Sequence, residues 1–447
     1  MYLHFLEAYF MKNVIVIGCG AAGMMAAITA ARNGNKVTII DGNSKPGRKL
    51  LATGNGRCNF TNLAYDHDNY YQLFYNTAEG FGENVNDTLT EFNNYSLIAF
   101  FEELGILAKD INGYVYPNSE QAASIVEVLN AELRRLNVKL IFEQKILDIR
   151  CDNGELLCMS EDRTYHADAV IIACGGLASP KHGSDGSLYP AIKRLGHTFT
   201  KLSPALTSLK FKGKELSALQ GVRVKAEVYL SCEACPYKNV AEKENISKEN
   251  ISKDNCNPIK ANAIHRDKGE IIFNKDNIGG IPIMQLSSYF YDDNCKKNKY
   301  VFINFFPEFK EEKLFSMISE RINGKYSQGK TTYECLTGML NSKLLDYLLR
   351  KAGLNPDKRA SSIRPSDINK IVKAFTAMSV EVTGTADFDR AQVMHGGIRF
   401  SEVDESLQSL IVPNLYFAGE VLDIDGACGG YNLQWAFTSG HLVGNAI

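Results

Sequence analysis

Gly18-Cys19-Gly20-Ala21-Ala22-Gly23 follows a β-branched run, Asn13–Ile17, and opens a stretch of helical composition, Ala21–Asn33. Glycines at this spacing permit a tight turn and let the backbone approach a pyrophosphate. The helix start adds free N–H groups and a positive charge of about half an electron. Asp41 closes the next run, Lys36–Asp41, at the distance where a carboxylate accepts hydrogen bonds from a ribose. A glycine-rich turn alone imitates this fingerprint easily. With strand, helix and acid in register, Gly18, Gly20, Ala21, Ala22, Gly23 and Asp41 read as the seat of an adenine dinucleotide.

Three further clusters narrow the choice of dinucleotide. Ala169–Gly176 (AVIIACGG) is a strand ending near Ala173 and Gly175, and Asn414–Asp423 (NLYFAGEVLD) is another ending at Gly419-Glu420. Singly, each reads equally well as a plain buried strand with a glycine end. In flavin enzymes of the glutathione-reductase type, strands from both ends of the chain converge on the cofactor, whereas a plain NAD dehydrogenase needs no third one. Gly47–Asn62 (GRKLLATGNGRCNFTN) carries Arg48, Lys49, Gly54, Asn55, Gly56, Arg57, Cys58 and Asn59. It can offer N–H groups and positive charge to a pyrophosphate and a flavin edge; the plainer reading is a solvated basic turn. Asp425–Gln434 (DGACGGYNLQ), with Gly426, Asn432 and Leu433, leads into the helical run Trp435–Asn445. A helix start there stabilises the negative charge of reduced flavin. Ile146 completes the expected cofactor contacts. The expected cofactor is non-covalent FAD, and with only one glycine fingerprint, NAD(P)H is expected only as a transient co-substrate.

Candidates for proton transfer are His395 and His182, each beside glycines, and Tyr431, which can protonate a carbonyl oxygen. For each, a hydrogen-bonded or packed structural role is the plainer alternative. Cys19, Cys58, Cys174 and Cys428 fall inside the glycine motifs but form no CxxC, so small side chains suited to crowded turns are expected. Cys232 and Cys235 do form a CxxC, with Cys256 and Cys295 downstream. The second half-site is unpaired, so no metal is expected.

The elements that position these residues begin with a βαβ unit, which implies a parallel sheet with a right-handed crossover. Helical spacing recurs at Ser96–Leu104 and Ser119–Leu136, and strands at Lys139–Phe142 and Asp168–Ala173. The expected fold class is α/β: a doubly wound Rossmann-type FAD domain with an inserted β-domain and a helical domain. Its first part covers residues 11–205. A β-domain spans 206–307 with 377–390, with strands at Arg223–Tyr229, Glu270–Phe273, Tyr300–Phe305 and Ser379–Thr385. A helical subdomain covers 308–376, including Glu311–Ile322 and Ser342–Ala352, with Asp367 as N-cap of its last helix. The FAD domain resumes over 391–447. Residues 244–255, a charged near-repeat (ENISK-ENISK-DN), read as a solvated loop.

Composition sets the outer bounds. A chain of 447 residues exceeds the roughly 250–300 at which one core stops growing, so two or three domains are expected. Charged residues at 22% and hydrophobic ones at 45% exclude wholesale disorder. A net charge of −2 gives no electrostatic reason for nucleic acid or anionic lipid. No run approaches a membrane span, and MYLHFLEAYF lacks the features of a signal peptide. The expected partner is a small-molecule substrate, without nucleic acid or membrane, in the cytoplasm. Met11, directly before the first strand, is an alternative start. Eleven scattered cysteines suggest reduced thiols.

GRKLLATGNGRCNFTN, YPNSEQAASIV (Tyr116–Val126), GEIIF (Gly269–Phe273) and LYFAGEVLDIDGACGGYNLQWAFTSG (Leu415–Gly440) resemble the motifs of one bacterial flavoprotein family, the BaiN-like or aminoacetone oxidase family. The resemblance runs over nearly the whole chain from Met11. It implies a two-part FAD domain with inserted β- and helical domains. It also implies similarity to reductases of unsaturated steroid ketones and to an amine-oxidising flavoenzyme. Two segments depart from the family pattern: Asn277–Pro282 lacks its customary Ser, and Val393–Gly397 has Met394-His395 where Thr and a small residue are usual. The preferred expectation is a hydride-transferring FAD oxidoreductase that reduces a C=C conjugated to a carbonyl, on a substrate in an interdomain cleft. O₂-coupled oxidation of a small amine is the alternative. A flavin-binding regulator or electron carrier, or an NAD dehydrogenase without flavin, would be of another class.

Overall fold

The protein is described by a computed structural model covering residues 11–64, 88–232, 263–291 and 298–447. The near-repeat at 244–255 lies outside the described residues, as do Cys235, Cys256 and Cys295. The chain forms two compact units, one running to Pro204 and resuming at Phe388, the other Ala205–Asp387.

The first unit is built on a five-stranded parallel sheet. Strand β1 (Asn13–Ile17) lies at its centre, between β2 (Lys36–Ile40) and β4 (Ala169–Ile172). β3 (Lys139–Ile141) extends the sheet beyond β2, and β5 (Leu415–Phe417) extends it beyond β4. Val14 to Ile17 and all of β4 are buried, as strands covered on both faces must be. The register levels the carboxyl ends: Ile17 pairs with both Ile40 and Ile172, and Ile172 pairs with Phe417. Every glycine motif therefore leaves the sheet from the same edge, where open α/β sheets bind ligands. The last strand is shorter than the sequence suggests; Gly419-Glu420 lies in a 3₁₀ turn after it.

Helix α1 (Ala21–Arg32) ends at Asn33, and the left-handed Gly34 follows. The last helix, α2 (Tyr431–Ala446), starts four residues earlier than its composition suggests. The two pack closely enough that a methyl group on Gly440 would sit 2.4 Å from the Ala22 carbonyl oxygen. Between β3 and β4 runs an antiparallel meander of Asp148–Asp152, Glu155–Met159 and Thr164–Ala167, which the sequence reading did not assign.

In the second unit six antiparallel strands close into a barrel. Their order is Leu209–Phe211, Asn277–Gly279, His265–Phe273, Arg223–Ser231, Lys299–Asn304 and Met378–Thr385, the last pairing back onto the first. Closure removes exposed edges. Helices Glu311–Asn323, Ser342–Lys351 and Pro365–Thr376 place Leu314, Ile318, Leu345, Leu348, Ile371 and Phe375 in the barrel's own core. Asp367 is not the N-cap of the last of these. Arg364 holds that position, and Asp367, two residues after Pro365, accepts the Arg364 N–H at 3.2 Å. Proline suits the first helical position because its missing N–H is not needed there, which moves the cap one residue upstream of it.

Candidate functional site

The fingerprint turn is shaped by contacts that only glycine allows. Gly18 is left-handed, and a Cβ on it would meet the Ala173 carbonyl oxygen at 2.4 Å; one on Gly23 would meet the Gly18 oxygen at 1.9 Å. A Cβ on Gly20, by contrast, would meet nothing within 4 Å. Gly20 is the N-cap of α1 and provides no side-chain cap, and no acidic residue stands in the first turn. The helix start thus opens on free space, as a phosphate seat requires.

Asp41 supports this turn from below. Its Oδ2 accepts the Cys19 N–H at 2.6 Å, and its Oδ1 accepts from the Asn43 backbone at 2.7 Å and the Asn43 amide at 2.8 Å. A carboxylate has about four lone-pair sites, so capacity remains for a ribose hydroxyl. The side chain thus has a structural task at the turn, which was not expected of it from the sequence.

The basic loop presents less free charge than its composition suggests. Arg48 donates to the Asn43 side-chain oxygen and the Lys181 carbonyl, both at 2.8 Å. Arg57 stacks over Tyr116 at 4.9 Å from the ring centre and lies 3.9 Å from Glu120. Lys49 donates to Glu420 at 2.7 Å. The loop's backbone is distinctive: Gly54, Asn55, Gly56 and Cys58 all have positive φ, a conformation that costs non-glycine residues about 1–3 kcal/mol. Cys58 is buried, and beside it the Asn59 side-chain oxygen is buried with no hydrogen-bond partner. Buried acceptors are almost always satisfied, and this one has no partner among the described residues.

Glu420 joins the separate motifs. Besides Lys49, it accepts from the Met394 N–H at 2.8 Å and the Gly176 N–H at 3.3 Å. Gly175 is left-handed and crowded by Ser184, and Gly419 by Ala22. The Gly419 carbonyl accepts from the Trp435 indole at 3.1 Å. Ala173, Gly175, Gly419, Glu420 and Lys49 thus belong to one assembly at the carboxyl edge of the sheet.

Helix α2 starts at this edge behind Gly430, whose added Cβ would strike the Thr61 carbonyl oxygen at 2.5 Å. Thr61 donates to Gln434 at 2.6 Å and Asn62 to the Gly429 carbonyl at 2.9 Å, fastening the basic loop to the helix start. The Asn432 side chain is turned inward, accepting from the Gly426 N–H and donating to the Gly426 and Ala427 carbonyls. Its task is to close the loop. Leu433 is half-buried and Ile146 buried, both packed into the unit's core. Thr61, Asn62, Gln434 and Asn43 were missed by sequence reasoning, although all four sit within or next to the quoted motifs.

The three proton-transfer candidates are not equivalent. His182 sits in the turn at the Asp41 end, its carbonyl 3.5 Å from the Asn43 amide. Burial and the cations Lys181, Arg48 and Lys49 push its pKa down. Tyr431 is buried in the first turn of α2, with burial pushing its pKa up, and its hydroxyl is 3.5 Å from the Ala64 carbonyl. His395 Nδ1 lies 2.8 Å from Asp425 Oδ1. Burial opposes its charge, but Asp425 and Asp423 outweigh burial and raise its pKa.

Burial pushes the Cys58 and Cys174 thiols up to about 12 and the Cys19 thiol higher still, which disfavours their thiolate forms. Cys232 is disulfide-bonded, where the scattered cysteines suggested reduced thiols as the default. No helix among the described residues is long and apolar enough to cross a membrane.

The family of HI0933-like protein Rossmann domains matches residues 12–446 of the chain. The 3-dehydro-bile acid delta(4,6)-reductase of Clostridium scindens is 34% identical over 441 residues, covering 98% of this chain and 99% of that protein. A ribosomal RNA dihydrouridine synthase of Escherichia coli K12 is 27% identical over 433 residues, covering 96% of each. Among solved structures, a 3-ketosteroid delta1-dehydrogenase of Sterolibacterium denitrificans aligns with a TM-score of 0.50 at 11% identity, over 98% of this chain and 99% of that one. That likeness is one of fold.

Proposed function

The chain belongs to the family of HI0933-like Rossmann-domain proteins and is an FAD-dependent oxidoreductase; from that premise we propose that it reduces a C=C bond conjugated to a carbonyl in a small organic substrate, with NAD(P)H as the electron donor. The observation that carries this reading is the 34% identity, end to end, with a reductase of an unsaturated bile acid. The name of the Escherichia coli relative describes related chemistry, since dihydrouridine arises by hydrogenation of a ring C=C next to a carbonyl.

The residues fit the cofactor. The Gly18–Gly23 turn, with Ala21 and Ala22 in the first turn of α1, would take the pyrophosphate, and Asp41 the ribose. Asn59 offers an unsatisfied acceptor to a flavin N–H. Gly54, Gly175 and Gly419 let the backbone come close, while Lys49, Glu420 and the start of α2 bound the flavin end. FAD, when bound, supplies hydride chemistry; the protein supplies position, electrostatics and protons.

The test is anaerobic mixing of the purified yellow holoenzyme with NADH and NADPH, followed by conjugated enones. Bleaching by one nucleotide and recolouring by an enone, with a saturated ketone as product, are expected. Rapid bleaching by a small amine, with none by either nucleotide, would replace this reading with an amine oxidase.

A further inference from the structure

His395 occupies the strand Val393–His395, within one of the two segments that depart from the family's pattern. Its neighbour Met394 ties the strand to the cofactor edge, through the N–H bond to Glu420 and through packing against Gly176, where an added Cβ would meet Met394 at 3.0 Å. After Met394, the ring of His395 turns to Asp425, the first residue of the segment leading into α2. Asp425 is 2% exposed, so its carboxylate has little water to compete with the imidazole. Gly396 is left-handed and pressed on the Lys201 carbonyl, and a Cβ on Gly397 would strike the Leu422 carbonyl carbon at 2.5 Å. The backbone after His395 is thereby fixed. One histidine is held by a buried carboxylate, between the Glu420 hub and the segment leading into α2.

We propose that His395 is the proton donor to the substrate, with Asp425 as its positioning residue; the assignment rests on the C=C reduction proposed above. In that reaction FAD, when bound and reduced, would supply the hydride for a new C–H bond at the carbon β to the carbonyl. The π pair of the C=C shifts toward the carbonyl, giving an enolate. The imidazolium of His395 then transfers its proton to the α carbon, forming the second C–H bond. Both electrons would be supplied by the bound, reduced FAD, with NAD(P)H as the donor proposed above. The histidine is left neutral and regains its proton from water.

The surrounding charges favour the protonated donor. Burial and Lys201 oppose the imidazolium, but Asp425 and Asp423 outweigh them and raise its pKa above the ordinary histidine value. Burial also pushes Asp423 up to about 6, against the pull of Thr200 and His395. A second group able to exchange a proton near neutrality therefore sits beside the first. A merely structural histidine would not make turnover depend on its protonation.

The experiment uses photoreduced holoenzyme, so that no nucleotide is needed, mixed anaerobically with cyclohexenone and with a conjugated steroid dienone. Flavin reoxidation is followed against pH. In the wild type the rate should fall as pH rises through the histidine's elevated pKa. His395→Gln, with FAD content confirming its fold, should reoxidise roughly 100-fold more slowly or worse and lose that pH step. Asp425→Asn should keep the step but move it to lower pH. Reoxidation of His395→Gln at the wild-type rate with the same pH profile would overturn the proposal and leave the reductase reading intact. If neither enone reoxidises the wild type, the reductase reading fails and this proposal with it.

Discussion

Lys49 Nζ lies 2.7 Å from Glu420 Oε2, although 371 residues separate them in the chain. The same carboxylate receives N–H groups of Gly176 and Met394, so one side chain fastens four segments at the carboxyl edge of the sheet. Glu420→Gln keeps an acceptor for the two backbone donors, whereas Glu420→Ala leaves both without it. Glu420→Ala should be less stable than Glu420→Gln by about 1–3 kcal/mol, as read by denaturant titration of the holoenzyme. Equal losses in the two variants would show that the backbone bonds contribute nothing.

Asn59 offers a cleaner separation of cofactor binding from folding. Its buried oxygen has no hydrogen-bond partner among the described residues, so Asn59→Ala breaks no hydrogen bond made by that oxygen, and the cost to the apo-protein is confined to the packing of one small side chain. We expect an unchanged or slightly raised apo melting temperature, with FAD affinity weakened by about 1–3 kcal/mol. Titration of deflavinated protein with FAD measures the second effect. Unaltered affinity would mean that Asn59 does not meet the flavin.

The two glycines of the fingerprint should behave oppositely. A methyl group on Gly20 projects into open space, whereas one on Gly23 collides with the Gly18 carbonyl. Gly20→Ala should therefore fold normally yet retain little FAD, because the methyl group occupies the phosphate seat. Gly23→Ala should lose stability and FAD together. Circular dichroism melts beside flavin absorbance distinguish the two patterns.

Acid sensitivity has an identifiable contributor far from the flavin. Glu132 is buried among Arg135 and Arg32, and their hydrogen bonds, led by that of Arg135 and opposed by burial, lower its pKa from 4.5 to about 2. A carboxylate whose folded pKa is depressed stabilises the protein above its unfolded pKa, and that contribution is lost as pH falls through the folded one. Melting temperature should thus drop between about pH 4.5 and 2, and the drop should be shallower in Glu132→Gln. Parallel pH profiles of the two proteins would exclude Glu132 as a contributor.

What the sequence made legible was local. β1, the glycine turn, α1 and Asp41 fall within some thirty residues, and each signals its role through a neighbour: a β-branched run, a glycine spacing, an acid at a strand end. The joins between distant segments carry no such signal. Nothing near Lys49 announces Glu420, and nothing near His395 announces Asp425, because their proximity follows from sheet register rather than from spacing. The meander over 148–167 escaped for a different reason. Its first strand, DIRCD, is mostly charged and exposed, so it lacks the apolar alternation by which a half-buried strand is recognised. The DID of Asp423–Asp425 was within a quoted motif, and two carboxylates so close together in a glycine-rich stretch were the available sign of a charged partner nearby.

The position of β5 has a consequence for how the molecule is made. β4 is complete at Ile172, but the strand that pairs with its far side does not begin until Leu415. At synthesis rates of about 5–20 residues per second, the intervening chain takes on the order of ten to fifty seconds to emerge. Throughout that interval β4 presents an open, wholly apolar edge, the kind of edge that pairs readily with a stranger. The nascent chain therefore has a long window in which the partner it needs has not yet been translated. Chaperone capture of the unfinished chain, and aggregation of C-terminally truncated products, should both be concentrated on that one unmatched side.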